Sequence, residues 1–185
     1  MNASKNKGKC YEREVAKHLS KVTELNFERV PSSGSFVGGA NSFRNDKLSR
    51  EQINLFEGDI ITPKEWDHVR IECKWYKDFC WHQLFDPSGE RVLNTWIKQA
   101  QQGTKPLWFL CFKINRCGDY VVFDSKYTHM LKTPLHKFEY NPVENLNFVF
   151  SHSLIITSKD LFFEMNKDTI LVIGDNYAKP ATQEK

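Results

Sequence analysis

The stretch "EGDIITPKEWDHVRIECK", residues 57–74, decides the fold. Two β-rich runs, 59–62 and 69–75, flank a polar break at 63–67, and that pattern predicts a hairpin. Strand alternation puts Val69, Ile71, Cys73 and Trp75 on one face and Arg70, Glu72, Lys74 and Tyr76 on the other. Glu72 and Lys74 therefore point the same way, Cys73 turns to the core, and Asp59 stands at the start of the preceding strand. An Asp and a Glu from neighbouring strands can meet at one hard cation such as Mg²⁺, with the Cys73 backbone carbonyl as a further candidate ligand. Lys74 beside them could orient or help deprotonate an attacking water and stabilise negative charge, as phosphodiester hydrolysis requires. An alternating charged strand face is also what a solvated hairpin shows, so these three residues by themselves leave both readings open.

Upstream, Tyr11, Val15, Ala16, Leu19 and Val22 recur at helical spacing and predict an amphipathic helix over 9–21. At about 100° per residue Glu12 falls on the apolar side with Val15, Ala16 and Leu19, whereas Glu14 projects with Lys17 and Lys21. A carboxylate on a core-facing stripe is costly unless it is paired, bound to a metal, or long enough to snorkel out. Glu12 is thus the candidate third carboxylate.

Working outward, "FERV" at 27–30 reads as a short strand that ends in a Pro-Ser-Gly loop. The stretch 36–58 is a long loop with a short helix over 46–54. Residues 90–102 repeat apolar side chains at helical spacing and stop at Gly103; "PLWFLCFKI" and "DYVVFD" then form strands around the "NRCGD" turn. Beyond Ser125 come the strand-like "NFVFSHSLIIT", a short helix "SKDLFFEM", the strand-like "TILVI" and a frayed end. The order of elements predicts a mixed α/β fold: a core over 1–124 containing the long 36–58 loop, and a C-terminal α/β extension over 125–185 packed on it.

With 40% of 185 residues hydrophobic, the chain can bury one core. Its five cysteines, at 10, 73, 80, 111 and 117, are an odd number without tight pairs, which fits reduced thiols better than disulfides or structural zinc. No apolar run approaches the ~20 residues of a spanning helix, and the N-terminus lacks a signal-peptide centre, so no membrane association and a cytoplasmic, intracellular setting are expected. The net charge of +3 is uneven: six basic residues in 1–21, among them Lys7 and Lys9, oppose only Glu12 and Glu14. That is an electrostatic footprint for a polyanion, and it makes Lys7 and Lys9 candidate DNA contacts.

In order along the chain, "KGKCYEREVAKHL", "FERVPSSGS", "GDI" and "IECK" resemble the motifs of the archaeal-type Holliday junction resolvases, within the PD-(D/E)XK nuclease superfamily. The resemblance covers about residues 7–124, with "QQGTKPLWFLCFK" similar to the family's later segment. It implies a restriction-endonuclease-like core, a central mixed β-sheet flanked by helices, and Mg²⁺ as cofactor with Mn²⁺ as a substitute. Carried over by position, it makes Glu12, Asp59 and Glu72 the metal-binding carboxylates and Lys74 the catalytic lysine. Arg13 and Arg29 match basic residues near the substrate phosphate, and Ser32, Ser33 and Ser35 match a loop along the DNA backbone. It further implies a homodimer that nicks a four-way DNA junction in pairs, with Trp96 or Trp108 in an apolar dimer patch or else in the core. The 36–58 stretch is longer than in the family; its Arg44, Lys47 and Arg50 suit either a DNA-contacting arm or a tolerated insertion. The leading expectation is a Mg²⁺-dependent junction endonuclease in a prokaryotic or viral setting. The alternatives are a restriction- or repair-type nuclease of this superfamily acting on duplex or flap DNA, and a non-catalytic DNA-binding module on the same fold.

Overall fold

A computed structural model describes residues 3–31, 57–81, 92–133, 138–140 and 154–178. The expectations for Ser32, Ser33, Ser35, the 46–54 helix, Arg44, Lys47 and Arg50 lie outside these residues. In chain order the elements are α1 (Ala3–Thr23), β1 (Glu28–Arg29), β2 (Ile60–Ile61), a 3₁₀ turn (Lys64–Trp66), β3 (Val69–Tyr76), α2 (Val92–Gln101), β4 (Leu107–Ile114), β5 (Gly118–Asp124), a 3₁₀ turn (Ser125–Tyr127), β6 (Phe138–Tyr140), β7 (Leu154–Ser158) and α3 (Lys159–Ala178).

One five-stranded sheet runs β3-β4-β5-β7-β6; β1 and β2 form a separate antiparallel ribbon. The β3–β4 pair is parallel and the other pairs of the large sheet are antiparallel. A parallel pair needs a crossover, and α2 lies within it. This is the restriction-endonuclease-like architecture expected of the sequence: a central mixed sheet flanked by helices.

The alternation read from β3 holds. Val69, Ile71, Cys73 and Trp75 join a core with α1 (Tyr11, Val15, Leu19) and α3 (Phe162, Phe163, Ile170). On the opposite face Leu93, Trp96 and Ile97 of α2 pack on Trp108, Leu110 and Phe112 of β4. Trp96 and Trp108 are only 5% and 7% exposed, which makes them core residues and not a surface patch. The candidate residues Glu72 and Lys74 therefore lie on the α2 side of β3, an edge strand of the sheet.

Two expectations about local structure are revised. The hairpin is rudimentary: β2 is two residues long and pairs with β1, and the connection to β3 holds a 3₁₀ turn that plugs Trp66 into the core. The strand expected at "TILVI" is instead part of α3. Phe162, Phe163, Asn166, Ile170 and Ile173 are buried while Leu161, Met165 and Val172 are exposed, a helical rather than a period-two pattern. Burying each large apolar side chain stabilises by roughly 1.5–3 kcal/mol. That outweighs the few tenths by which β-branched residues disfavour helix. Buried Asn166 pins α3 to the preceding segment, donating to Lys132 O at 2.7 Å and accepting from Lys132 N at 2.7 Å.

Candidate active site

Asp59 is positioned by its backbone before its side chain acts. Gly58 adopts φ +87°, where a Cβ would lie 2.6 Å from the carbonyl oxygen of Ile71. Only glycine permits that approach without strain. It lets Asp59 N–H donate to Ile71 O at 2.8 Å, while Val30 N–H donates to Asp59 O at 2.9 Å. The Asp59 carboxylate then accepts from Cys73 N–H through Oδ2 at 2.8 Å. Along this stretch Asp59 stands in for a further strand at the edge of β3, so its side chain cannot wander.

Glu72 is 1% exposed and surrounded by donors. Lys74 Nζ donates to its Oε1 at 2.8 Å, Gln99 Nε2 of α2 donates to the same oxygen, and Arg70 Nη2 lies 3.4 Å from Oε2. Lys74 also stands 4.0 Å from Asp59 Oδ2. Glu12 is buried on α1 and forms an ion pair with Arg29, Nε to Oε2 at 3.1 Å. A local brace sets this pair: Ser20 Oγ accepts from Phe27 N–H at 2.9 Å, folding the chain back from the end of α1 so that β1 carries Arg29 across Glu12.

The electrostatics follow from crowding in a dry place. Burial, and then the charge of Glu72, push the Asp59 carboxyl up to about 7; Lys74 and the Cys73 N–H oppose the shift, and Glu12 adds to it. Glu72 and Glu12 thus both act on Asp59. Burial pulls Lys74 down, but Glu72 and then Asp59 more than offset it, so its ammonium is held above the ordinary lysine range. Burial raises the Cys73 thiol, which stays neutral in the core.

Among the described residues no three His, Cys, Asp or Glu side chains form a ready-made metal cage. The donor set nevertheless fits a hard divalent cation: carboxylate oxygens are what Mg²⁺ and Mn²⁺ prefer, and a cation would relieve the repulsion that raises Asp59. Glu12, Asp59 and Glu72 are the residues that would hold it.

The remaining candidates sit around this cluster. Lys9 and Arg13 are exposed one helical turn apart, Arg13 next to Glu12 in sequence. Lys7 is exposed, with its ammonium 5.8 Å from the centre of the Trp75 ring. Arg29 is engaged with Glu12 and with Val30 O at 2.8 Å. Gln99 and Arg70 touch Glu72, and periodicity gives the face of Arg70 but no role for either. Gln99 flanks an ordinary amphipathic stripe, and Arg70 is one more charge on an alternating strand; the only signal is that both occupy the face that carries Glu72.

The family model described as "Phage putative PDDEXK endonuclease" matches residues 3–172, a span that includes β7 and most of α3. Protein D14 of Escherichia phage T5 is 32% identical over 130 residues, covering 66% of this chain and 71% of that protein. No solved structure matches the chain at a significant level.

Proposed function

The chain belongs to the phage PD-(D/E)XK endonuclease family, and on that footing we propose that it is a Mg²⁺-dependent, structure-selective DNA endonuclease, with the four-way junction as its leading substrate. The observation that carries the chemistry is the buried Asp59–Glu72–Lys74 cluster stitched to the edge of β3, with Glu12 close enough to add its charge. Mg²⁺ held by these carboxylates would supply positive charge for the scissile phosphate and a more acidic water.

The protein's own groups divide the remaining work. Lys74, 2.8 Å from Glu72, serves as a charge and hydrogen-bond donor to developing negative oxygen. Asp59 must lose its proton to hold a cation, so an ionisation near pH 7 gates the metal-free site. Lys7, Lys9 and Arg13 on the exposed part of α1 suit contacts to phosphates, which give salt-sensitive binding with little sequence preference.

Junction selectivity is supported by the order of motifs along the chain. Paired nicks need two sites, hence a homodimer, in a recombination or repair role within a phage or prokaryotic setting. Digestion of a labelled four-way junction beside its component duplexes, with and without Mg²⁺, tests the reading. Symmetric nicks on the junction alone are expected. Comparable cutting of duplex or flap DNA would leave a nuclease of a different substrate class, and absence of cutting with either Mg²⁺ or Mn²⁺ would leave a DNA-binding module.

A further inference from the structure

Glu57 is a further buried carboxylate, outside the set of Glu12, Asp59 and Glu72. Glu57 is 8% exposed; its Oε1 accepts from Thr104 N–H at 3.2 Å and from Thr104 Oγ1 at 3.3 Å. Its Oε2 is buried with no hydrogen-bond partner among the described residues. Gly103 separates this oxygen from Arg70: a Cβ at Gly103 would lie 3.1 Å from Glu57 Oε2 and 2.6 Å from Arg70 Nη1. The other end of the guanidinium, Nη2, reaches Glu72 Oε2 at 3.4 Å. The nearby cation Lys105 is committed elsewhere, donating to Val69 O at 3.1 Å and lying 3.3 Å from Thr62 Oγ1.

Arg70 thus reaches Glu72 beside a space that exists because residue 103 has no side chain, with the Glu57 carboxylate on the other side of that glycine. An ionised carboxylate has about four lone-pair positions. On Glu72, Lys74 and Gln99 take those of Oε1 and Arg70 takes one of Oε2. One position on Oε2 remains.

We propose that Arg70, admitted beside Glu72 by the missing side chain at Gly103, is a positioning residue that orients the Glu72 carboxylate as a metal ligand. The inference rests on the metal-dependent reading above. A guanidinium that only lent charge would repel a cation, so its removal would tighten metal binding. A guanidinium that orients a ligand does the opposite, and losing such support typically costs ten- to a hundredfold in metal affinity.

The test is Mn²⁺ binding to the full chain, followed by the paramagnetic signal of free ion and independent of cleavage, with thermal melting run in parallel. Arg70→Met and Gly103→Ala are both expected to weaken Mn²⁺ binding by about tenfold or more. Glu57→Gln, which keeps an acceptor for Thr104, is expected to weaken it less. Thermal melting shows whether each variant remains folded; should Gly103→Ala unfold because of its φ of +127°, Arg70→Met decides alone. Unchanged or tighter Mn²⁺ binding in folded Arg70→Met would overturn the positioning role while leaving the nuclease reading intact. Wild-type protein that binds Mn²⁺ but cuts no DNA would sink the nuclease reading alone, and wild-type protein that binds no Mn²⁺ would sink both.

Discussion

Two clusters in this molecule set a lysine against two carboxylates, and one aspartate in each, Asp59 and Asp160, is shifted in the opposite direction. At the edge of β3, Lys74 faces Glu72 at 2.8 Å and Asp59 at 4.0 Å. At the start of α3, Lys159 pairs with Asp160 and lies 4.0 Å from Asp119. In the second cluster the Asp160 side chain is 55% exposed and has His18 3.5 Å away. Burial tends to raise Asp160, but the Lys159 bond and charge and then His18 hold it below the usual carboxylate range. In the first, the Asp59 and Glu72 side chains are 8% and 2% exposed, and burial with Glu72 drives Asp59 up to about 7. One cluster is a tether between helix and sheet in which the only carboxyl raised is Asp119, by burial against the opposing charges of Lys159 and Lys113. The other holds more buried negative charge than its lysine can satisfy, which is the condition a cation would relieve.

The largest effect that would sharpen this contrast is on turnover. Lys74→Ala and Asp59→Asn should each lower metal-dependent cleavage by about 10²–10⁴-fold with DNA binding retained in a gel-shift assay. Equal loss of binding and cleavage, together with a collapsed melting transition, would mean that the cluster is a structural support.

Next in size is a pH effect on the metal-free fold. Because the Asp59 carboxyl is raised from the ordinary 3.8 to about 7, the folded state keeps a proton that the unfolded chain has lost. Stability should therefore fall as pH rises through the window from about 4 to 7, by on the order of a few kcal/mol. Asp59→Asn should flatten that slope and melt above wild type at pH 8. A wild-type melting temperature that does not fall across this window would remove the repulsion on which the contrast rests.

Smaller effects follow from the backbone and from the tether. Gly58→Ala should destabilise by roughly 1–3 kcal/mol, read by denaturant unfolding, because the added Cβ meets Ile71 O at 2.6 Å in a left-handed conformation. Cleavage should fall with it, since Asp59 is displaced; full activity in a folded variant would show that the Gly58 approach does not set the site. Lys159→Met should cost about 1 kcal/mol or a little more, since Asp160 is well exposed and can turn to water. Its cleavage rate should match wild type, and a large rate loss would mean that the two clusters are coupled.

Much of this arrangement is legible in the residues. Alternation alone assigns Glu72 and Lys74 to one face of β3 and turns Cys73 inward, because side chains in a strand have a period of two and nothing distant can change it. Helical periodicity likewise puts Glu12 on the buried side of α1, where it lies. The failures are equally physical. "TILVI" has strand-like composition, but Ile170 and Ile173 find the sheet only if the chain stays helical from Lys159 onward. Gln99 was an ordinary polar residue of an amphipathic helix until α2 packed it against Glu72, and Glu57 until the turn after Gly103 brought Thr104 to it.

The sequence by itself thus determined the mixed α/β class, the identity of the acidic and basic residues with the chemistry for the site, and the side of each local element on which they stand. Those properties follow from periodicity and side-chain chemistry, which act within a few residues. Only the tertiary structure decided that Asp59 reaches the edge of β3 through its own carboxylate, that Glu12 is paired with Arg29, and that three donors converge on Glu72. Burial and charge repulsion depend on which elements pack together, so the upward shifts of Asp59 and Lys74 could arise only once α1, β3 and α2 had closed around one another.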